Sequence, residues 1–219
     1  MKYFTFSLDD GTIYDERVIA LFNKYGIHAT FNLNSGLNNY TWYKGDIPIT
    51  RFNLNDVVKL YNGHEVASHT LTHPHLDELD EWGVIHEINE DIVNLNNIFS
   101  RHIRTFATPF HNSGEREISI IRKHTLLRSV RLSVIDESFL RPIDSYHYKV
   151  TALNIDRALE LINDFIANKE AEIFIYAGHS YDFMLNNSWD KLEELVKILV
   201  NNQDIKVVTM DELTSLLFS

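Results

Sequence analysis

Apolar positions along the chain recur with two periods that take turns. Residues 2–8 and 27–33 are short β-rich runs, whereas residues 14–25 carry Val18, Leu21, Phe22 and Tyr25 three and four apart, with Gly26 as a helix stop signal. Residues 65–67, 104–107, 147–153, 172–176 and 205–208 also read as strands, and residues 125–134 hold one or two more. The longest helical pattern covers residues 76–99, with Leu79, Trp82, Ile85, Ile88, Ile92, Leu95 and Phe99 on one face. A helix ahead of Lys123 and others over 156–168, 189–201 and 211–218 follow; in the first of these three Leu159, Ile162, Phe165 and Ile166 point inward. Residues 53–61 predict a short helix closed by Asn62-Gly63. Two stretches predict loops: 34–52, rich in Asn and Gly, and 136–148, with its Arg141-Pro142.

Seven or eight strands, each followed by a helix or a loop, define an α/β chain, in which function collects at the C-terminal ends of the strands. No linker, repeat or low-complexity tract interrupts the alternation, so residues 1–219 are expected to form one domain. Four polar clusters fall at predicted strand ends: Asp9-Asp10, residues 69–73, residues 108–111 and residues 179–182.

Each cluster has a chemical reading and a plainer one. Adjacent side chains at a strand end diverge, so Asp10 can bind a metal while Asp9 faces a substrate as general base; Asp-Asp-Gly is equally a turn and helix-cap motif. His69, His73 and His75 fall within seven residues. On one helical turn the first two share a face and can hold one ion, or they simply cap the backbone of a connection. With Asp10 they make a three-ligand site with open positions for water. His179 can act as a general acid, with Tyr181 and Asp182 orienting its ring or capping the adjoining loop. Pro109-Phe110 reads as an apolar wall for a ligand or as a turn with a core aromatic. The remaining histidines, His75 and His111 included, are assigned structural or surface places.

Composition narrows the classes. A hydrophobic content of 44% with 23% charged residues is that of a globular protein, and no apolar run approaches the roughly 18 residues of a membrane span. The net charge of -11 repels polyphosphate, which argues against nucleic acid and leaves neutral or cationic sugars compatible. Without cysteine, any metal site must use His and carboxylate. The N-terminus runs straight into a strand, with no apolar leader or cleavage site, which predicts a cytoplasmic protein.

In their order along the chain, these motifs resemble the polysaccharide deacetylase family, carbohydrate esterase family 4, the nodulation-deacetylase homology domain. Phe6-Ser7-Leu8-Asp9-Asp10-Gly11 is similar to its first motif, and Gly63-His64-Glu65-Val66-Ala67-Ser68-His69-Thr70-Leu71-Thr72-His73 to its second. Ala29-Thr30-Phe31 resembles the family's second strand, and Phe174-Ile175-Tyr176-Ala177-Gly178-His179 its last motif. The resemblance implies a distorted (β/α) barrel of about seven strands that removes N- or O-acetyl groups from an acetylated carbohydrate. It also implies Asp9 as catalytic base, Asp10, His69 and His73 as ligands of a divalent metal, and His179 as catalytic acid. Zinc is the first choice of ion, with cobalt, nickel or manganese as alternatives. Pro109, Phe110 and Tyr181 are expected to touch substrate, and Asp182 to orient His179.

Two departures stand out. The third motif usually carries an Arg that pairs with the catalytic Asp, but the aligned stretch is Ala107-Thr108-Pro109-Phe110, which leaves Asp9 without that cation. The Asp-Trp pair of the fourth motif is missing, with Trp42, Trp82 and Trp189 all in other contexts. These departures motivate a second reading, a weak or inactive sugar-binding homologue that keeps the metal. A third, an iron oxygenase site of two His and one carboxylate, fits the βα alternation poorly.

Overall fold

A computed structural model describes residues 1–218. The chain runs β1 (Lys2–Asp9), α1 (Asp15–Tyr25), β2 (Thr30–Leu33), β3 (Thr41–Lys44), β4 (Ile47–Thr50), β5 (Glu65–Ser68), α2 (Glu81–Phe99), β6 (Thr105–Ala107), α3 (Glu115–His124) and β7 (Ser129–Ile135). It continues with β8 (Tyr148–Val150), α4 (Ile155–Ala167), β9 (Ile173–His179), α5 (Ser180–Leu185), α6 (Trp189–Val200), β10 (Ile205–Val207) and α7 (Met210–Phe218).

Seven parallel strands curl into a distorted (β/α) barrel in the order β1-β2-β5-β6-β7-β8, with β9 on the other side of β1. The β8 side returns to β9 through the parallel bridge Ala152 to Tyr176. β10 is an extra parallel strand that shares an edge of β1 with β2, taking Lys2 to Phe4 while β2 takes Ser7 to Asp9. β1 is therefore paired on both edges and buried from Phe4 onward, the polar Thr5 and Ser7 included. Its Phe4 stacks on Phe174 of β9 at 4.8 Å between ring centroids, and Phe6 packs against Phe22 of α1 at 4.7 Å. This aromatic cluster joins the inner faces of α1, α4 and α6 in the largest core. Among the described residues no helix is long and apolar enough to cross a membrane.

Several expectations need correction. Residues 34–52 are not an open loop: a 3-10 turn at Ser35–Leu37 leads into the β3–β4 hairpin, in which Thr41 pairs with Thr50 and Lys44 with Ile47. The predicted helix over 53–61 is one 3-10 turn, Leu54–Asp56, capped by Asn53 and followed by further turns, the chain closing bonds three residues apart as in Leu60 N–H to the Val57 carbonyl. The long helix starts at Glu81, since the Asp80 carboxylate caps it by accepting from the Gly83 N–H at 2.7 Å. Trp82, placed inward by spacing, sits in its exposed first turn. A single strand, β7, occupies the region read as one or two.

Register sets the stage for the site. Asp9 is level with Asn32 on β2 and with His179 on β9, while Ser68 faces Phe106 and Ala107 faces Arg131. Beyond β1, Asp10 and Gly11 both take left-handed backbone, φ 84° and 66°. A Cβ on Gly11 would lie 2.8 Å from the Leu33 side chain as well as strain that φ. Gly11→Ala is accordingly expected to cost about 1–3 kcal/mol, read as a thermal midpoint lower by roughly 2–4 °C per kcal/mol; an unchanged midpoint would show that the turn tolerates a side chain.

Candidate active site

The barrel's C-terminal end opens into a cleft of about 730 Å³. Its lining gathers Asp9, Asp10, His69, His73, Phe110, His179, Tyr181 and Asp182, eight of the nine residues the sequence nominates. Pro109 is buried and is not part of the lining, so Phe110 alone forms that wall. His75 lies under it, its ring stacked on Phe110 at 3.7 Å, and Phe110 in turn meets the His73 ring edge-on at 4.6 Å.

Asp9 does have a cation. Its Oδ1 accepts from Arg131 Nη2 at 2.5 Å and from Asn32 Nδ2 at 2.7 Å, while Oδ2 has no hydrogen bond among the described residues. Arg131 is the register partner of Ala107 on the neighbouring strand, so a guanidinium reaches Asp9 from that level of the barrel. It is fully buried and also donates to Ser133 Oγ at 2.9 Å. The sequence did carry a signal, an arginine within a predicted strand between Val130 and Leu132, since buried arginines are almost always paired.

Asp10 turns away from Asp9 through its left-handed backbone. Its Oδ1 accepts from Arg51 Nη2 at 2.8 Å, and Arg51 Nη1 reaches the Asp10 carbonyl at 2.6 Å. Arg51 follows β4, and Trp42 of β3 lies over its guanidinium at 5.1 Å, so the hairpin is docked on Asp10. Trp42 also meets Tyr181 edge-on at 5.6 Å, and thus a tryptophan outside any recognised motif lines the cleft. Burial pushes the Asp10 carboxyl up, but His179, Arg51, His69 and His73 together outweigh it and hold the group below the usual range.

The His69–His73 segment makes no helical turn. Thr70 and His73 are left-handed (φ 70° and 56°), and the loop is tied down by Thr72, which donates to Glu87 through N–H and hydroxyl at 2.8 and 2.7 Å, and by Asn34 Nδ2 on the Thr70 carbonyl at 2.8 Å. The imidazoles converge nonetheless, with centroids 4.9 Å apart. His69 Nδ1 is 2.8 Å from the Ala107 carbonyl, which can only accept; the proton is therefore on Nδ1 and the Nε2 lone pair is free. Burial, reinforced at His69 by the neighbouring His73, keeps both rings neutral. One donor atom each from Asp10, His69 and His73 lies within 4.8 Å of the others. Donors about 2.1 Å from a tetrahedrally held ion stand about 3.4 Å apart, so about 1.4 Å of closure at the widest pair would complete a shell. An ionised carboxylate with two neutral imidazoles is also the right protonation state for a divalent ion.

Asp91 on α2 supports this loop from behind. Fully buried, it accepts from Ser68 Oγ at 2.6 Å, the Ser35 N–H at 2.7 Å and the His69 N–H at 3.3 Å, and burial pushes its carboxyl up to about 7. Nothing in the local sequence distinguishes it from the other acids of that helix.

On the opposite wall His179 Nδ1 is 2.9 Å from Asp182 Oδ2, with Nε2 turned to Asp10 Oδ2 at 3.7 Å. Tyr181 stacks on the ring at 4.6 Å and points its hydroxyl to Asp10 Oδ2 at 3.4 Å. Burial alone would lower the His179 pKa, but the Asp182 hydrogen bond and the charges of Asp10, Asp182 and Asp9 lift it to about 8.

The sequence model of the polysaccharide deacetylase family matches residues 1–127, more than half of the chain. No curated protein sequence matches it. Among solved structures it is similar to a family 4 acetyl xylan esterase from Clostridium thermocellum, described in complex with a cobalt ion, with a TM-score of 0.66 and 14% identity over 98% of this chain and 91% of that one. The Xyl-CE4 domain of a multidomain xylanase from the hindgut metagenome of Trinervitermes trinervoides gives 0.65 and 18% over 98% and 90%. BA3943, a CE4 family pseudoenzyme from Bacillus anthracis, gives 0.64 and 14% over 97% of this chain and 65% of that one. At these identities the likeness is one of fold.

For the metal-free protein, histidine NMR is expected to find His179 titrating near 8. Asp182→Asn removes the largest upward contribution and should bring the value down; an unchanged titration would separate Asp182 from the ring.

Proposed function

The chain belongs to the polysaccharide deacetylase family, and on that footing we propose that it is a metal-dependent hydrolase that removes N- or O-acetyl groups from a carbohydrate. The observation that carries the reading is the convergence of the Asp10, His69 and His73 donors in one cleft that Asp9 and His179 also line. Residues 1–219 act as one catalytic domain in this reading, because the first and ninth strands, far apart in sequence, pair side by side and both supply that cleft.

Asp10, His69 and His73 would hold the ion, zinc by the nature of the donors, with cobalt, nickel and manganese as substitutes. When bound, such an ion supplies Lewis acidity, polarising the acetyl carbonyl and making a water more acidic. The protein's part is proton transfer and alignment. Asp9 Oδ2, free of protein partners while Arg131 and Asn32 hold Oδ1, takes a proton from the attacking water as its oxygen bonds to the acetyl carbon. His179, its Nδ1 engaged by Asp182, gives the Nε2 proton to the departing amine or alcohol as the C–N or C–O bond breaks. Acetate and the free sugar group leave, and the proton gained by Asp9 balances the one lost by His179. Phe110 and Tyr181 flank the space where the acetylated ring would sit.

A non-turning homologue fits less well. The strongest sequence argument for it was the absent arginine, and Arg131 supplies a guanidinium to Asp9 from the neighbouring strand. The proposal is tested by acetate release from acetylated xylo- and chito-oligosaccharides. Activity should disappear with a chelator and return with zinc or cobalt. Asp9→Asn should lower kcat by about 10²–10⁴-fold while the protein still binds zinc. Turnover that survives both treatments, or none on any acetylated sugar with any of these ions, would overturn the assignment.

A further inference from the structure

Beneath the cleft floor lies a carboxylate the proposed chemistry does not use. Asp15, the first residue of α1, is fully buried and has no ion pair among the described residues. It is satisfied by hydroxyls. Ser180 Oγ donates to Oδ1 at 2.5 Å and Tyr61 Oη to Oδ2 at 2.8 Å, while Thr12 Oγ1 lies 2.9 Å from Ser180 Oγ and completes the cluster. Thr12, Tyr61 and Ser180 are themselves fully buried, and burial pushes the Asp15 carboxyl up to about 7. Holding such a group out of water is costly, and two hydroxyls spent on it from distant parts of the chain mark a joint rather than a filler.

What the joint connects is specific. Thr12 and Asp15 follow Asp9-Asp10-Gly11 directly, and the Asp15 N–H donates to the Thr12 carbonyl at 2.9 Å. Ser180 sits between His179 and Tyr181, in the first turn of α5, the same turn that holds Asp182 against the His179 ring. α5 has only six residues, so its own hydrogen bonds fix its pose weakly and external ties decide it. We infer that Asp15 is a positioning residue, which through Ser180 fixes the first turn of α5 and thereby aligns His179 with the group it must protonate. This rests on the acetyl hydrolysis proposed above. Asp15 does not line the cleft, and its link to the His179 turn runs through Ser180.

The test exploits the leaving group. An acetylated sugar needs a proton at the departing atom, whereas p-nitrophenyl acetate expels a stabilised phenolate without one. Asp15→Ala is expected to lower kcat on the acetylated oligosaccharide by about 10-fold or more with KM within a few-fold, since small misplacements of a reacting group are that costly. Turnover of p-nitrophenyl acetate should change by less than about 3-fold, and the His179 ring signal in the 1H–13C spectrum should move. Asp15→Asn, which can still accept from Ser180 and bond Tyr61, is expected to restore sugar turnover to within a few-fold. Ser180→Ala, which keeps the carboxyl but cuts the link, should reproduce the Asp15→Ala pattern and stands in for it if that variant does not fold. Equal losses on both substrates, or a lower thermal midpoint with an unmoved His179 signal and unchanged kcat, would reduce Asp15 to a structural role. A wild-type protein inert toward both substrates would instead sink the hydrolase reading, and the His179 signal in Ser180→Ala would still decide whether the joint exists.

Discussion

Burying a carboxylate costs several kcal/mol unless its oxygens find partners, and this barrel buries four of them near one rim: Asp9, Asp10, Asp15 and Asp91. How each is satisfied separates chemistry from scaffolding. Asp9 and Asp10 have guanidinium partners, Arg131 and Arg51, and the cations around Asp10 keep it ionised despite burial. Asp15 and Asp91 have only hydroxyl and N–H donors, and burial raises both to about 7. The first pair faces the cleft. The second pair stands one layer back, each against a segment that carries a proposed site residue, α5 for Asp15 and the His69 loop for Asp91.

The α/β alternation was legible because the strands are short runs rich in β-branched and aromatic residues, and the helices between them keep a clear apolar stripe. The Asp pair, the histidine pair and His179 were legible as motifs at strand ends. What lay out of reach depends on register between distant strands. Arg131 meets Asp9 across 122 positions, and only the pairing of Ala107 with Arg131 places a cation at that level of the barrel. The β3–β4 hairpin was hidden by its polar, glycine-containing sequence, and with it Trp42 and Arg51. The histidine spacing suggested a helical turn, yet the same convergence arises from two left-handed residues held by Glu87 and Asn34, contacts that local periodicity does not encode.

Similarity at 14–18% identity carries the fold and leaves the site to be argued from its own atoms. Here those atoms cohere. Neutral imidazoles, an ionised carboxylate, a half-engaged base and a protonated acid are the states that acetyl hydrolysis asks for, and each arises from a named neighbour.

The account turns on whether Asp10, His69 and His73 share an ion. Anomalous diffraction at the zinc edge, from crystals grown with zinc, measures this directly. The prediction is one strong peak about 2.1 Å from an Asp10 carboxylate oxygen, His69 Nε2 and His73 Nε2. Density without a peak among these three, or zinc bound only elsewhere on the surface, would contradict it.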